Sequence, residues 1–183
     1  NWVKSKIGRL YFLVNCAGLH CAKSVTQASD ADFAQTMAVN LAGPFYCMRA
    51  ALPLLEANRG SIVNVGSDVC FLADKDAPLY TAAKMGLMGL TKAVALEWGA
   101  KGVRINMVCP GATDTPFFRN VFPDGQAAVK SAGLINPMKR IGSPKEVAEV
   151  IIFLGLQAAF ANAAVWPVDG GYTAKGADEP KKQ

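Results

Sequence analysis

The 183-residue sequence predicts an α/β protein built on an open parallel sheet with helices on both faces. Three observations carry this reading. Short apolar runs of strand length alternate with longer segments of helical period. The runs are continuous rather than alternating in polarity, as in strands buried on both faces. Three of them lead into a turn signal, Ala17-Gly18, Pro110-Gly111 or Asp169-Gly170-Gly171.

In order, Leu10 to Asn15 reads as the first strand, ending at Ala17-Gly18. Ser29-Asp30 is a helix cap, and the apolar positions Phe33, Met37, Leu41, Phe45, Met48, Leu52 and Leu55 follow at steps of three and four. Pro44 is expected to bend or divide that helix, and Arg59-Gly60 to end it. Ser61 to Gly66 makes the second strand. After a loop through Asp74, Lys75 and Asp76, a helix is expected from about Pro78 to Gly99, with Leu87, Leu90, Val94 and Trp98 on one face.

Val103 to Val108 is the third strand, closed by Pro110-Gly111. Ser143-Pro144-Lys145-Glu146 combines a capping serine, a proline at the first helical position and a glutamate three after the cap, so a helix starts there and runs to about Leu156. Ala164 to Val168 is the last strand. The whole reads as one domain over residues 1–183, with 174–183 a flexible tail.

Composition narrows the function. The net charge of +5 is modest, and part of it lies at the ends, in Lys4, Lys6, Lys175, Lys181 and Lys182, without the basic and aromatic interleaving of a nucleic-acid surface. The longest charge-free apolar stretch, Val150 to Val165, is too short for a membrane span and reads as a buried helix followed by a strand. Cys16, Cys21, Cys47, Cys70 and Cys109 are odd in number and lack a C-x-x-C pair, and His20 is the only histidine. That argues against a metal site and for reduced thiols in a cytoplasmic protein.

The chemistry is expected where the strands end, since ligands of such sheets bind outside the carboxyl ends of the strands. Ser67 closes the second strand. Tyr80 and Lys84 stand four apart on the next helix and share a face. A hydroxyl, a phenol and an ammonium converging on one carbonyl fit proton transfer. For that role the phenol must titrate well below its usual value of about 10, and a nearby ammonium has the right sign to bring it down.

Taken alone, Tyr-x-x-x-Lys is a weak signal. Its company is not: Asn15-Cys16-Ala17-Gly18, Val39-Asn40-Leu41, Gly60-Ser61-Ile62-Val63-Asn64 leading to Ser67, Tyr80-Thr81-Ala82-Ala83-Lys84, Arg104-Ile105-Asn106 with Pro110-Gly111-Ala112-Thr113-Asp114-Thr115, Arg140-Ile141-Gly142-Ser143-Pro144 and Val168-Asp169-Gly170-Gly171 occur in order. On these seven motifs the chain resembles a classical short-chain dehydrogenase/reductase from Gly8 to Gly171.

The resemblance implies a Rossmann-like doubly wound sheet and an NAD(P)-dependent oxidoreductase that transfers hydride between nicotinamide and a carbonyl or secondary alcohol. It implies that Tyr80 is the catalytic acid/base, that Ser67 positions the substrate oxygen, that Lys84 binds the nicotinamide ribose and lowers the tyrosine pKa, and that Asn40 holds a water of the proton relay. Asn15, Ala17 and Gly18 then border the cofactor ribose, and Pro110, Gly111, Thr113 and Thr115 face the nicotinamide. Either NAD or NADP fits. Asn15 reads more readily as a clamp between strands than as a cofactor ligand, and Asn40 equally as a residue that bends its helix. Phe117, Phe118 and Phe122 lie where the family has a substrate lid.

The sequence departs from the family at Tyr11, at Cys16, where a second Asn is usual, and at Asn162-Ala163, where Thr-Gly is common. It also contains no Gly-x-x-x-Gly-x-Gly. The reading is therefore of an N-terminally truncated member lacking the first strands and the Gly-rich loop, whose Leu10 to Val14 strand is left as an apolar edge and whose 183 residues alone are expected to be inactive. The partners implied are a small-molecule substrate and further copies of the chain, as a homodimer or homotetramer through the helices at Phe33 to Leu55 and Pro78 to Gly99. The alternative is a non-catalytic oligomerisation or interaction protein of the same fold.

Overall fold

The computed structural model describes residues 5–6, 8–121 and 124–174. The elements in order are strand β1 (Phe12–Asn15), helix α1 (Asp30–Met37), a π-helical turn (Ala38–Ala42), α2 (Gly43–Glu56), β2 (Ser61–Val65), a 3-10 turn (Asp68–Cys70) and α3 (Pro78–Gly99). Then come β3 (Arg104–Pro110), α4 (Pro116–Val121), α5 (Gly125–Ile135), α6 (Pro144–Ile152), a second π-helical turn (Phe153–Gln157) and β4 (Val165–Val168). All neighbouring strands are parallel, in the order β1-β2-β3-β4. The register sets Asn15 beside Asn64, Val65 beside Val108 and Pro110 beside Val168, so the carboxyl ends of the strands form one rim.

The strand period of two divides the core. On one face Ile62 and Ile105 pack with Met48, Leu52 and Leu55 of α2 and Ala95 of α3. On the other, Val63 and Val108 pack with Val147 of α6 and Leu154. Adjacent residues of one strand thus face opposite layers, as a doubly wound sheet requires. Arg104 ties β3 to the second π turn by donating to the carbonyls of Leu154 at 2.8 Å and Gly155 at 2.7 Å.

Both anticipated caps are present. Ser29 and Ser143 accept the backbone N–H three residues on, and Asp32 and Glu146 return the bond to the cap. The helix expected to bend or divide at Pro44 changes to a π turn at Ala38–Ala42, just before the proline, and resumes as α2. Pro44 lies directly after the π turn, in the first turn of α2.

The amphipathic stripe is only half right. Met48, Leu52 and Leu55 are buried, whereas Phe33 and Phe45 are exposed. The helix and following strand expected from Val150 to Val165 are present, as the end of α6 with its π turn and the start of β4, but they are not buried. Only Leu154 and Gly155 are enclosed, and Ile152, Phe153, Leu156 and Phe160 face solvent. Trp166 is also exposed, while Trp98 packs on the core. β1 pairs with β2 alone among the described residues, and Val14 is exposed on it.

The lid region contains two helices, α4 and α5, the first of which carries Phe117 and Phe118. Lys4, Phe122 and residues 175–183, which include Lys175, Lys181, Lys182 and most of the anticipated tail, lie outside the described residues.

Candidate active site

Ser67 leaves β2 in extended conformation and caps the 3-10 turn, accepting Val69 N–H at 3.4 Å. Its hydroxyl donates to Asp68 Oδ1 at 2.7 Å. Tyr80 and Lys84 enter from the first two turns of α3, which starts on Pro78, and both are buried. Lys84 is 3% exposed, lies with Nζ 5.6 Å from the Tyr80 ring centre, and donates to the Val65 carbonyl at 2.8 Å. The structure therefore brings Ser67, Tyr80 and Lys84 to the end of β2. Ser67 also faces the phenol closely enough to influence its titration.

Asn40 occupies the π turn, fully buried. Its side chain donates to the carbonyls of Leu19 and Thr36 at 2.8 and 3.0 Å and accepts Leu19 N–H at 3.1 Å, clipping the loop after β1 to the helix. Gly18 of that loop comes so close that a methyl group there would lie 3.3 Å from Asn40 Oδ1 and 3.7 Å from Lys84 Nζ. Asn40, Gly18 and Lys84 are thus one cluster, with exposed Ala17 at its rim. Asn15 points elsewhere: its amide donates to Asn64 Oδ1 at 2.7 Å, clamping β1 to β2.

Across the rim, Gly111 N–H donates to the Val168 carbonyl at 3.1 Å, and a side chain on Gly111 would meet Asp169 at 2.8 Å. Pro110 and Gly111 therefore pass tightly beside the turn after β4. Thr113 donates to Gly111 O at 2.9 Å. Thr115 accepts Phe118 N–H at 3.1 Å and so anchors the start of α4. By this α4 places Phe117 with its ring centre 6.5 Å from that of Tyr80.

Two neighbours were missed in the sequence. The His20 ring lies 4.9 Å from Tyr80 and 6.4 Å from Phe117, and burial lowers its pKa against the opposing pull of Asp74. A histidine five residues past Asn15 gives no pattern on its own. Asp68 was missed because adjacency to Ser67 in sequence does not say where its carboxylate turns.

The electrostatics correct one expectation. Burial raises the Tyr80 pKa above that of an ordinary phenol, opposed by the Ser67 bond that lowers it, and the neighbouring Asp68, Cys70 and Cys109 add to the rise. The reason is desolvation of the phenolate, which the spacing of Tyr80 and Lys84 did not disclose. Lys84 is itself lowered by burial. The Cys70 thiol bonds the Cys109 thiol, which lowers the Cys70 pKa and raises that of Cys109. All five cysteines are free thiols. Among the described residues no cluster of His, Cys, Asp and Glu suits a metal ion, and no helix is long and apolar enough to cross a membrane.

Comparison with known proteins places this geometry in context. The family profile described as Enoyl-(Acyl carrier protein) reductase matches residues 1–173. Meso-2,3-butanediol dehydrogenase of Serratia marcescens is 40% identical over 175 residues, covering 95% of this chain and 68% of that protein. Among solved structures, ligand-free aldohexose dehydrogenase of Thermoplasma acidophilum superposes with a TM-score of 0.92 at 31% identity, over 99% of this chain and 74% of that one. ElxO with NADP bound superposes with a TM-score of 0.88 at 32% identity, over 96% and 72% of the two chains.

Proposed function

The chain belongs to the classical short-chain dehydrogenase/reductase family, and on that premise we propose that it works as an NAD(P)-dependent oxidoreductase acting on the CH–OH group of a small alcohol or on the matching carbonyl. The observation that carries this reading is the meeting of Ser67, Tyr80 and Lys84 at the carboxyl end of β2, where ligands of parallel sheets bind.

The residues present fit a nicotinamide cofactor. Lys84 is a buried ammonium whose hydrogen bonds among the described residues are limited to one, to Val65 O, which leaves N–H donors for ribose hydroxyls. Gly18, with no side chain, brings backbone close to that ammonium, a methyl group there lying 3.7 Å from Nζ. Ala17 and Gly18 would border the ribose, with Asn15 and Asn40 holding that loop and helix in place, and Pro110, Gly111, Thr113 and Thr115 would line the nicotinamide side. When bound, the cofactor supplies the hydride; the protein supplies orientation and electrostatics.

In this role Tyr80 exchanges the proton with the substrate oxygen and Ser67 holds that oxygen in place. With its pKa raised, the phenol is protonated across the physiological range and is set to act as the acid toward a carbonyl. Phe117 and His20 form the wall over the phenol.

We assign a second copy of the chain to the face formed by α2 and α3. There Leu41, Phe45 and Leu90 line an apolar depression of about 590 Å³, and Tyr46 and Leu96 are exposed nearby. Sedimentation analysis tests this assignment, with a dimer or tetramer expected. The free thiols accord with the cytoplasm.

The reaction is tested by assaying the protein expressed from its complete coding sequence, with NAD and NADP, against a panel of secondary alcohols and ketones. The panel starts with 2,3-butanediol, named for the Serratia relative, and its oxidation product acetoin. Turnover that is lost in Tyr80→Phe supports the reading. Turnover that survives the substitution excludes it.

A further inference from the structure

Beside the Tyr80 phenol the structure sets one more polar ring. The imidazole of His20 touches the phenol, with ring centres 4.9 Å apart and planes tilted by 49°. Phe117 stands almost equally far from both, 6.4 Å from His20, edge on, and 6.5 Å from Tyr80. Separations of this size are direct contacts between aromatic rings, so a substrate lies along their rims and not between them.

The backbone holds the imidazole there. Asn40 bonds both the N–H and the carbonyl of Leu19, at 3.1 and 2.8 Å, and Cys21 is buried on the other side of His20. The imidazole is half-buried, and neither ring nitrogen makes a hydrogen bond among the described residues. Asp74 acts on it through charge alone. A half-buried donor and acceptor left without protein partners suit a ligand that supplies both.

The geometry points to His20 as the residue that binds a second oxygen of the substrate, carried on the carbon next to the reacting one. The substrate class is that of vicinal diols and α-hydroxy ketones. This deepens the dehydrogenase reading and rests on it for the place of the reacting oxygen.

Reach and chemistry select this class. The reacting oxygen lies within bonding distance of the Tyr80 hydroxyl. Oxygens on adjacent carbons stand about one hydrogen-bond length apart, so the second one falls at the rim of the ring that touches the phenol. An oxygen further along the chain is carried past it. Burial outweighs Asp74 and lowers the His20 pKa, so the ring is neutral above pH 7, with one N–H to donate and one nitrogen to accept. A hydroxyl group matches both, whereas a carboxylate or phosphate matches only the donor. Phe117 offers the same substrate an apolar surface for its carbon side.

Two measurements test this on the protein expressed from its complete coding sequence. The first is kcat/KM for reduction of acetoin and of 2-butanone, which differ by one hydroxyl beside the carbonyl. His20→Phe keeps a ring against Tyr80 and Phe117 and removes both nitrogens. It should lower the ratio of acetoin to 2-butanone by at least about tenfold, the size of one hydrogen bond. Taking that ratio in parent and variant cancels the different reactivity of the two ketones. His20→Gln, with a donor and an acceptor but no ring, should restore part of it. A structural role alone would lower both ketones by the same factor, and that result overturns the inference.

The second measurement is nitrogen-15 NMR of the His20 ring, the only histidine among the 183 residues, with its signals assigned by their loss in His20→Phe. In the presence of NADH or NADPH, with which an alcohol cannot react, 2,3-butanediol should shift the ring nitrogens and 2-butanol should leave them in place. Ring nitrogens that respond to neither alcohol, or equally to both, overturn the inference. If no compound of the panel is turned over while the diol alone shifts the ring, the dehydrogenase reading has failed and the diol-binding role of His20 remains. If the ketones are turned over and their ratio ignores His20→Phe, that reading stands and the inference fails.

Discussion

Asn15 donates its side-chain amide to Asn64 Oδ1 at 2.7 Å, and the Asn64 amide in turn donates to Thr91 Oγ1 at 2.9 Å, so a buried polar chain runs from β1 through β2 to α3. Thr91 passes it on to the Leu87 carbonyl at 2.6 Å. The chain fixes α3, which carries Tyr80 and Lys84, against β2, the strand that leads to Ser67.

Asn64→Leu should therefore destabilise by about 2–4 kcal/mol, because it strands the Asn15 amide and breaks the bond to Thr91 in a site with no access to water. Denaturant unfolding measures this. The double variant Asn15→Leu/Asn64→Leu should cost less than the sum of the single changes, since neither then leaves the other unpaired.

Ala163 adopts φ +59°, in the left-handed region that glycine prefers, at a position where the sequence departs from its relatives' common glycine. Relief of that strain is worth about 1–2 kcal/mol, and the flexibility glycine adds to the unfolded chain offsets about half of it. Ala163→Gly should stabilise the fold by up to about 1 kcal/mol, seen as a small rise in Tm. A fall in Tm would mean that the packing of the Ala163 methyl on the Leu52 and Ile105 cluster outweighs the strain.

Stability should also depend on Tyr80 at alkaline pH. Its folded pKa lies above the unfolded value of about 10, so the folded state holds the proton longer than the unfolded state does. The contribution is complete below pH 10 and is lost as pH rises through the folded pKa. Tyr80→Phe should remove this part of the alkaline loss, making the unfolding free energy flatter above pH 10 than in the parent. Equal slopes in the two proteins would show that the phenol is not buried as described.

Helix α3 was readable to the residue because Pro78 starts it and the chain between carries no competing turn signal. The capping boxes at Ser29 and Ser143 were readable for a similar reason: their partners are three residues away. What stayed hidden depends on long-range placement. The π turn at Asn40 follows from the bonds between Asn40 and Leu19, 21 residues apart. The exposure of Phe45, Leu156 and Phe160 reflects which faces the four strands leave uncovered, and periodicity reports only that an apolar face exists. The phenol's raised pKa depends on burial among Asp68, Cys70 and Cys109, which the four-residue spacing to Lys84 does not contain.

The most direct test of the account is the rate of nicotinamide reduction during oxidation of a secondary alcohol, compared between the protein from its complete coding sequence and its Tyr80→Phe variant. The account predicts turnover in the parent and a fall of at least about a hundredfold in the variant, since removing the phenolic hydroxyl removes the proton carrier and leaves the ring in place. Equal rates in the two proteins, with circular dichroism showing both folded, would contradict it.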